Sequence, residues 1–174
     1  VQTNNKVDKS IDLSSDLKKV KNLTNATVHV EFKATETVPN LYSVFSASSN
    51  SNRNEYFLLG VSGNKPVVEA RTGKEGNYQY DRFEDGKESI RPNEWNSLTF
   101  TISRPNVNVD AGEAKLYVNG RLSKASTKSG LFLTAMQNLT NMQLGAMQRG
   151  NGKVWGTNLD TVSYTHLRAH ETVL

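Results

Sequence analysis

The sequence contains no cysteine, so disulfide bridges and thiolate metal sites are both excluded. No stretch approaches the roughly 18–20 consecutive apolar residues of a membrane span, and the opening "VQTNNKVDKS" lacks the apolar core of a signal peptide. The expectation is a soluble fragment with no membrane partner, any export signal lying outside it. Dense basic runs are missing as well: 21 Lys and Arg are scattered against 17 Asp and Glu, for a formal net charge of +4. Nucleic-acid binders concentrate their cations on one element, so no nucleic-acid partner is expected and an anionic small ligand fits better.

Catalytic signatures are equally scarce. The chain shows no nucleophile elbow, no phosphate-cradling glycine loop and no obvious carboxylate pair. Of its three histidines, His29 stands isolated in a strand-like run. His166 and His170 could share a helix face at i, i+4 and bind a metal, but neither an HExxH arrangement nor a third ligand accompanies them. The expectation is therefore a protein that is not an enzyme, with no metal and no cofactor.

What the chain does have is strands. Its 174 residues, 36% hydrophobic and 22% charged, suit one globular domain with one core. Near the start, "IDLSSDLKKVKNLTN" predicts one short helix, with Ser14 or Ser15 available as its cap. From "ATVHVEFKA" the apolar period becomes two: Val28, Val30 and Phe32 face one way, His29 and Glu31 the other. The same pattern recurs in "LYSVFSAS", "EYFLLGVS", "PVVEAR", "EWNSLTFTIS", "EAKLYVNGRLSKAS", "NMQLGAMQ" and "KVWGTNLDTV". Many short strands punctuated by Gly, Pro, Asn and Ser indicate an all-β sandwich. Asn119-Gly120, between two alternating runs, supplies the positive φ angles of a type I′ hairpin turn.

Two polar stretches read as loops, "SASSNSNRNEY" and the more aromatic "TGKEGNYQYDRFEDG". Loops held by a rigid sheet are where binding residues concentrate. In the second, Tyr78, Tyr80 and Phe83 form an aromatic cluster that either packs over the core or offers a ligand platform. Asn22, Asn25 and Asn138 head Asn-x-Ser/Thr sequons, which matter only in a eukaryotic secretory protein.

One strand carries a discordant pair. In "VVEARTG" the alternation of an extended chain sets Glu69 and Arg71 on the same face. They are either a surface ion pair or half of a receptor for a small polar ligand. Arg149 follows the run "MQLGAM" and opens the Gly-rich turn "RGNGKVWG", so its guanidinium emerges at a strand end. If Arg71 and Arg149 converge, their planar forks form a clamp suited to a carboxylate, with Glu69 holding a fork or accepting from a ligand N–H or O–H. Spacing alone leaves both readings open.

The stretches "DLSSDLKKVKNLTNATVHVEFK", "LYSVFSASS", "NEYFLLGV", "VVEAR", "EWNSLTFTI", "KLYVNGRLS" and "LGAMQRGNGKVWG" together resemble a family-40 carbohydrate-binding module. They are most similar to the N-terminal lectin module of large surface sialidases of Gram-positive bacteria, over roughly Ser10 to Val162. The resemblance implies a jelly-roll-like sandwich, of concanavalin or laminin-G type, with two antiparallel sheets and one short N-terminal helix. It implies a non-catalytic, monomeric module, secreted or displayed on a bacterial surface, that binds terminal sialic acid and targets a tethered sialidase to its substrate. It assigns the sugar contacts to Glu69, Arg71, Arg149 and the aromatic Trp155, with Tyr80 and Ser46 as further contacts. A sialidase catalytic domain needs several times more strands than this chain holds. The alternative is a laminin-G-like interaction sandwich with no sugar site, in which Glu69 and Arg71 are a surface pair.

The tail departs from that pattern. Residues 1–162 read as the lectin module, whereas 163–174, "SYTHLRAHETVL", lose alternation and resemble translated vector or adaptor sequence. The tail either pairs as an improvised edge strand or stays disordered.

Overall fold

The computed structural model describes residues 10–34, 41–74, 77–84, 90–103, 113–126, 132–150, 152–154 and 159–169. Among them are thirteen strands. In chain order they are β1 (Ile11–Asp12), β2 (Asn25–Ala34), β3 (Tyr42–Ser48), β4 (Tyr56–Ser62), β5 (Lys65–Lys74), β6 (Asn77–Glu84) and β7 (Trp95–Ser103). There follow β8 (Glu113–Val118), β9 (Arg121–Ser126), β10 (Asn141–Leu144), β11 (Met147–Arg149), β12 (Gly152–Val154) and β13 (Leu159–Ala169). A six-stranded sheet runs β1-β10-β3-β4-β5-β6 and a five-stranded sheet β13-β2-β7-β8-β9, while β11 and β12 form a separate ribbon. Every described pairing is antiparallel. The fold is the all-β sandwich that the alternation predicts, with the jelly-roll-like form that the resemblance implies.

The core follows from that alternation. Val28, Val30 and Phe32 of β2, Leu98, Phe100 and Ile102 of β7, and Leu116 and Val118 of β8 are all buried on the inner face of the five-stranded sheet. Phe45, Ala47, Phe57, Leu59, Val68 and Ala70 meet them from the other sheet. The Phe57 ring centroid lies 5.0 Å from Phe100 across the sandwich and 5.1 Å from Phe132. Burying each such side chain contributes about 1.5–3 kcal/mol. The opposite face of β2 stays polar, where His29 Nδ1 lies 2.7 Å from the Thr99 hydroxyl.

The six-stranded sheet is covered on part of its outer face too. Tyr56, Leu58 and Val67 form a second apolar cluster with Met147, flanked by Leu41 and Val154, so the β11–β12 ribbon lies over β4 and β5. This explains why β3 reads buried at every position.

Several local readings change. The helix shrinks to a 3-10 turn at Ser14–Asp16 running into α1 (Leu17–Val20). Its cap is neither Ser14 nor Ser15: the Ser14 N–H donates to Asp12 Oδ1 at 2.9 Å, and Ser14 Oγ accepts from the Met142 N–H at 3.0 Å. Hydrogen bonding to Ser14 also lowers the Asp12 pKa. The hairpin is as expected, with φ of 49° at Asn119 and 79° at Gly120. "TGKEGNYQYDRFEDG" is no loop at its centre, because β6 pairs with β5 from Val67↔Glu84 to Lys74↔Asn77. Its aromatics change phase, Tyr78 and Tyr80 falling on one parity and Phe83 on the other, which conceals the alternation. "NMQLGAMQ" is two strands, divided where Gly145 adopts φ of 81°. "KVWGTNLDTV" likewise contributes to two strands, β12 and β13.

The tail pairs. β13 runs through the 162/163 boundary and lies antiparallel to β2, from Leu159↔Ala34 to Ala169↔Ala26, with two register shifts. His166 therefore sits in a strand, where positions four apart are separated by about 13 Å rather than stacked as on a helix, and His170 lies outside the described residues. Among the described residues no helix is long and apolar enough to cross a membrane.

Candidate ligand-binding site

Register brings the discordant residues together. On the outer face of the six-stranded sheet, Glu69 lies between Leu58 on β4 and Arg82 on β6, and Arg71 lies between Tyr56 and Tyr80. The centre of the arrangement is the Tyr56 ring. Arg71 Cζ stands 5.6 Å from its centroid and Arg149 Cζ 5.1 Å. Arg71 also lies 5.1 Å from the Tyr80 ring. Two guanidinium groups from β5 and β11 thus both lie against one aromatic ring, where cation–π attraction holds each by about 0.5–1 kcal/mol or more.

Below them is a buried carboxylate. Glu69 is 4% exposed, and its Oε1 accepts from the Tyr56 hydroxyl at 2.5 Å while Oε2 accepts from Arg82 Nη1 at 2.6 Å. Arg82 spans outward and donates through Nη2 to Glu84 Oε2 at 2.9 Å. Burial, followed by the Glu69 hydrogen bond, pushes the Tyr56 phenol well above its ordinary range. The Arg82 pKa is raised as well, because hydrogen bonds to Glu84, Tyr80 and Glu69 together outweigh partial burial. At neutral pH the Arg82 guanidinium is ionised and the Tyr56 phenol neutral.

The sequence-predicted residues fall in different places. Arg71 and Arg149 are both brought against the Tyr56 ring. Glu69 shares the sheet face of Arg71, and its carboxylate oxygens bond Tyr56 and Arg82. Tyr80 is 45% exposed beside Arg71, with its phenol pKa raised by burial and then by Glu69. Ser46 aligns with Leu58 and Gln143 on this face. It is fully buried, however, and its hydroxyl donates to the Ala146 carbonyl oxygen at 2.8 Å, so it ties β3 to the start of the ribbon and presents no surface. Trp155 lies outside the described residues.

Sequence reasoning missed Tyr56, Arg82 and Asn54. Reading "NYQYDRFE" as a strand would have set Tyr80, Arg82 and Glu84 on one face. Tyr56 carries no local signal, since only the β4–β5 register places it beneath Arg71.

Chemically, paired forks over a ring, a carboxylate acceptor and an exposed aromatic suit a small anion that also carries hydrogen-bond donors. Among the described residues no group of three His, Cys, Asp or Glu could hold a metal ion.

Two antiparallel sheets closed on one core, with an arginine-bearing outer face, define a jelly-roll-like binding module. Residues 1–165 match the sialidase N-terminal domain, and the chain belongs to that family, the family-40 carbohydrate-binding modules. It is therefore the module and not the catalytic domain of a sialidase. The fold is similar to the module of the Ruminococcus gnavus IT-sialidase bound to alpha2,3 sialyllactose, with a TM-score of 0.75 at 18% identity over 93% of this chain and 86% of that one. It is similar to the NanB sialidase of Streptococcus pneumoniae, with a TM-score of 0.72 at 23% identity over 93% of this chain but 24% of that one. A leech intramolecular trans-sialidase matches with a TM-score of 0.68 at 16% identity, over 93% of this chain and 24% of that one.

Proposed function

We propose that the chain is a non-catalytic lectin module that binds terminal sialic acid and holds a tethered sialidase near its substrate, at a bacterial surface or after secretion. The observation that carries this reading is the convergence of Arg71 and Arg149 on the Tyr56 ring. Sialic acid presents a carboxylate for the two forks, with an N-acetyl N–H and hydroxyls for Glu69. Tyr80 supplies an apolar rim, Ser46 fixes the strand beneath, and Trp155 is a sugar contact by family resemblance alone. The R. gnavus module, described as bound to alpha2,3 and to alpha2,6 sialyllactose, supports the same ligand class.

The rival interaction sandwich requires Glu69 and Arg71 to be a surface ion pair. Burial of Glu69 against Arg82 favours the binding reading instead. An open monosaccharide site offers few contacts and desolvates a polar ligand, so one module binds weakly and gains avidity from tethering. Calorimetric titration with both sialyllactose isomers, beside lactose, tests the reading. Binding of the sialylated sugars alone is expected, and a folded chain that ignores both would overturn it.

A further inference from the structure

The two arginines come from strands far apart in sequence, and each reaches the Tyr56 ring through a long, rotatable side chain. One short loop orients both. Arg149 Nε donates to the carbonyl oxygen of Arg53 at 3.1 Å, and Arg71 Nη1 donates to Oδ1 of the next residue, Asn54, at 3.0 Å. The loop is itself tied down. The Asn52 N–H donates to Ser49 Oγ at 3.1 Å, and the Asn54 N–H to Asn52 Oδ1 at 3.0 Å. Asn52 Nδ2 reaches the Gly73 carbonyl at 2.7 Å, and the Glu55 carboxylate accepts from the Asn138 N–H at 3.1 Å. Gly150 closes the arrangement from the ribbon side: its φ is +60°, and a Cβ there would stand 3.2 Å from Arg53 Cγ.

We infer that Arg53 and Asn54 form a positioning bracket that sets Arg71 and Arg149 side by side for an anionic ligand, and that the bracket depends on Asn54 being uncharged. The inference rests on the sialic-acid reading above. Both acceptors are neutral oxygens, one backbone and one amide. They orient the guanidinium donors without adding negative charge where the ligand carboxylate docks. An aspartate at position 54 would keep the acceptor and the shape, yet would set a like charge against that carboxylate, which electrostatic complementarity forbids. Asn54 is thus a positioning residue acting through Arg71.

The test is calorimetric titration of sialyllactose into the unaltered chain, Asn54→Ala and Asn54→Asp, each with a thermal melt. Asn54→Ala is expected to weaken binding roughly tenfold, the scale of one hydrogen bond to a charged group. Asn54→Asp is expected to bind more weakly still, although its melting temperature is no lower than that of Asn54→Ala. A role confined to loop stability predicts the reverse order, so an aspartate variant that binds better than the alanine variant overturns the inference. Unchanged binding by Asn54→Ala does the same. If Asn54→Ala does not fold, Asn54→Asp decides alone: weaker binding at an unchanged melting temperature supports the bracket, and equal binding overturns it. A folded, unaltered chain that binds no sialyllactose overturns the functional reading and the bracket together, whereas normal binding with unaffected variants overturns only the bracket.

Discussion

Arg82 donates to the buried Oε2 of Glu69 at 2.6 Å, linking the edge strand β6 to the centre of the candidate site. Removing this partner strands a carboxylate that is 4% exposed. Breaking a fully buried pair costs about 3–5 kcal/mol, and the 31% exposure of the Arg82 side chain brings the expectation for Arg82→Ala down to about 1–3 kcal/mol. Arg82→Lys retains one cationic donor and recovers part of the loss. Urea denaturation of the three proteins measures this, and an Arg82→Ala variant as stable as the parent would show that the pair contributes nothing.

The Tyr56 phenol gives a pH signature. Its pKa is raised from 10.0 by burial and then by the Glu69 hydrogen bond, and that of Tyr42 is raised from 10.0 by burial. The folded chain therefore favours both neutral phenols more than the unfolded chain does. Their contribution is fully present below the unfolded value of 10.0 and is lost as pH rises from there through the folded values. Stability is expected to hold to about pH 10 and then fall steadily. Tyr56→Phe, which keeps the ring beneath both arginines, lowers stability at neutral pH and flattens that alkaline decline. Denaturation midpoints across the alkaline range, read beside phenolate absorbance, check both effects.

Much of the sandwich was legible because β2, β7 and β8 each have one apolar and one polar face, so period two survives in the sequence. The edge strand β6 was not, since its aromatics switch parity between Tyr80 and Phe83 and only pairing with β5 reveals the strand. The site divides in the same way. Arg71 and Arg149 were recognisable as guanidinium donors at strand positions, and Glu69 as the neighbour of Arg71. That Glu69 bonds Arg82 depends on the β5–β6 register, and that Tyr56 underlies both arginines depends on the β4–β5 register and the ribbon. Such register is set by long-range pairing, which spacing within one strand does not encode. Ser46 failed as a surface residue for a related reason: the ribbon that buries it arrives from Met147, a hundred residues on.

The tail provides a separation of stability from binding. Residues 163–169 pair with Ala26 to Glu31 on the outer edge of the five-stranded sheet, whereas the candidate site lies on the other sheet. Truncation after Val162 removes several ladder hydrogen bonds, each worth about 0.5–1.5 kcal/mol, and exposes the β2 edge. Stability should fall by a few kcal/mol on that scale, with affinity for sialyllactose unchanged in the protein that remains folded. Thermal melts and titrations on the truncated chain check the two halves, and a large loss of affinity in a folded truncation would move the site away from the Tyr56 face.

The sharpest prediction separates charge from shape at Arg149. Its guanidinium lies over the Tyr56 ring and is oriented through Nε by the Arg53 carbonyl at 3.1 Å. A lysine at this position keeps the charge but loses the Nε anchor, the planar stack and the two-pronged fork that matches a carboxylate. Arg149→Lys is therefore expected to weaken sialyllactose binding nearly as much as Arg149→Ala. The loss is on the order of 1.5–3 kcal/mol, the cost of a charge-assisted hydrogen bond. Arg71→Ala should match it, since in the proposed site both forks grip one carboxylate. Glu69→Gln should do less harm to binding, because one amide oxygen still accepts, while its stability falls with the loss of charge opposite Arg82. Calorimetry with sialyllactose and lactose, on variants whose melts confirm folding, provides the comparison. Full affinity in Arg149→Lys would mean that charge alone suffices there, and full affinity in Arg149→Ala would remove the clamp and restore the interaction sandwich as the better reading.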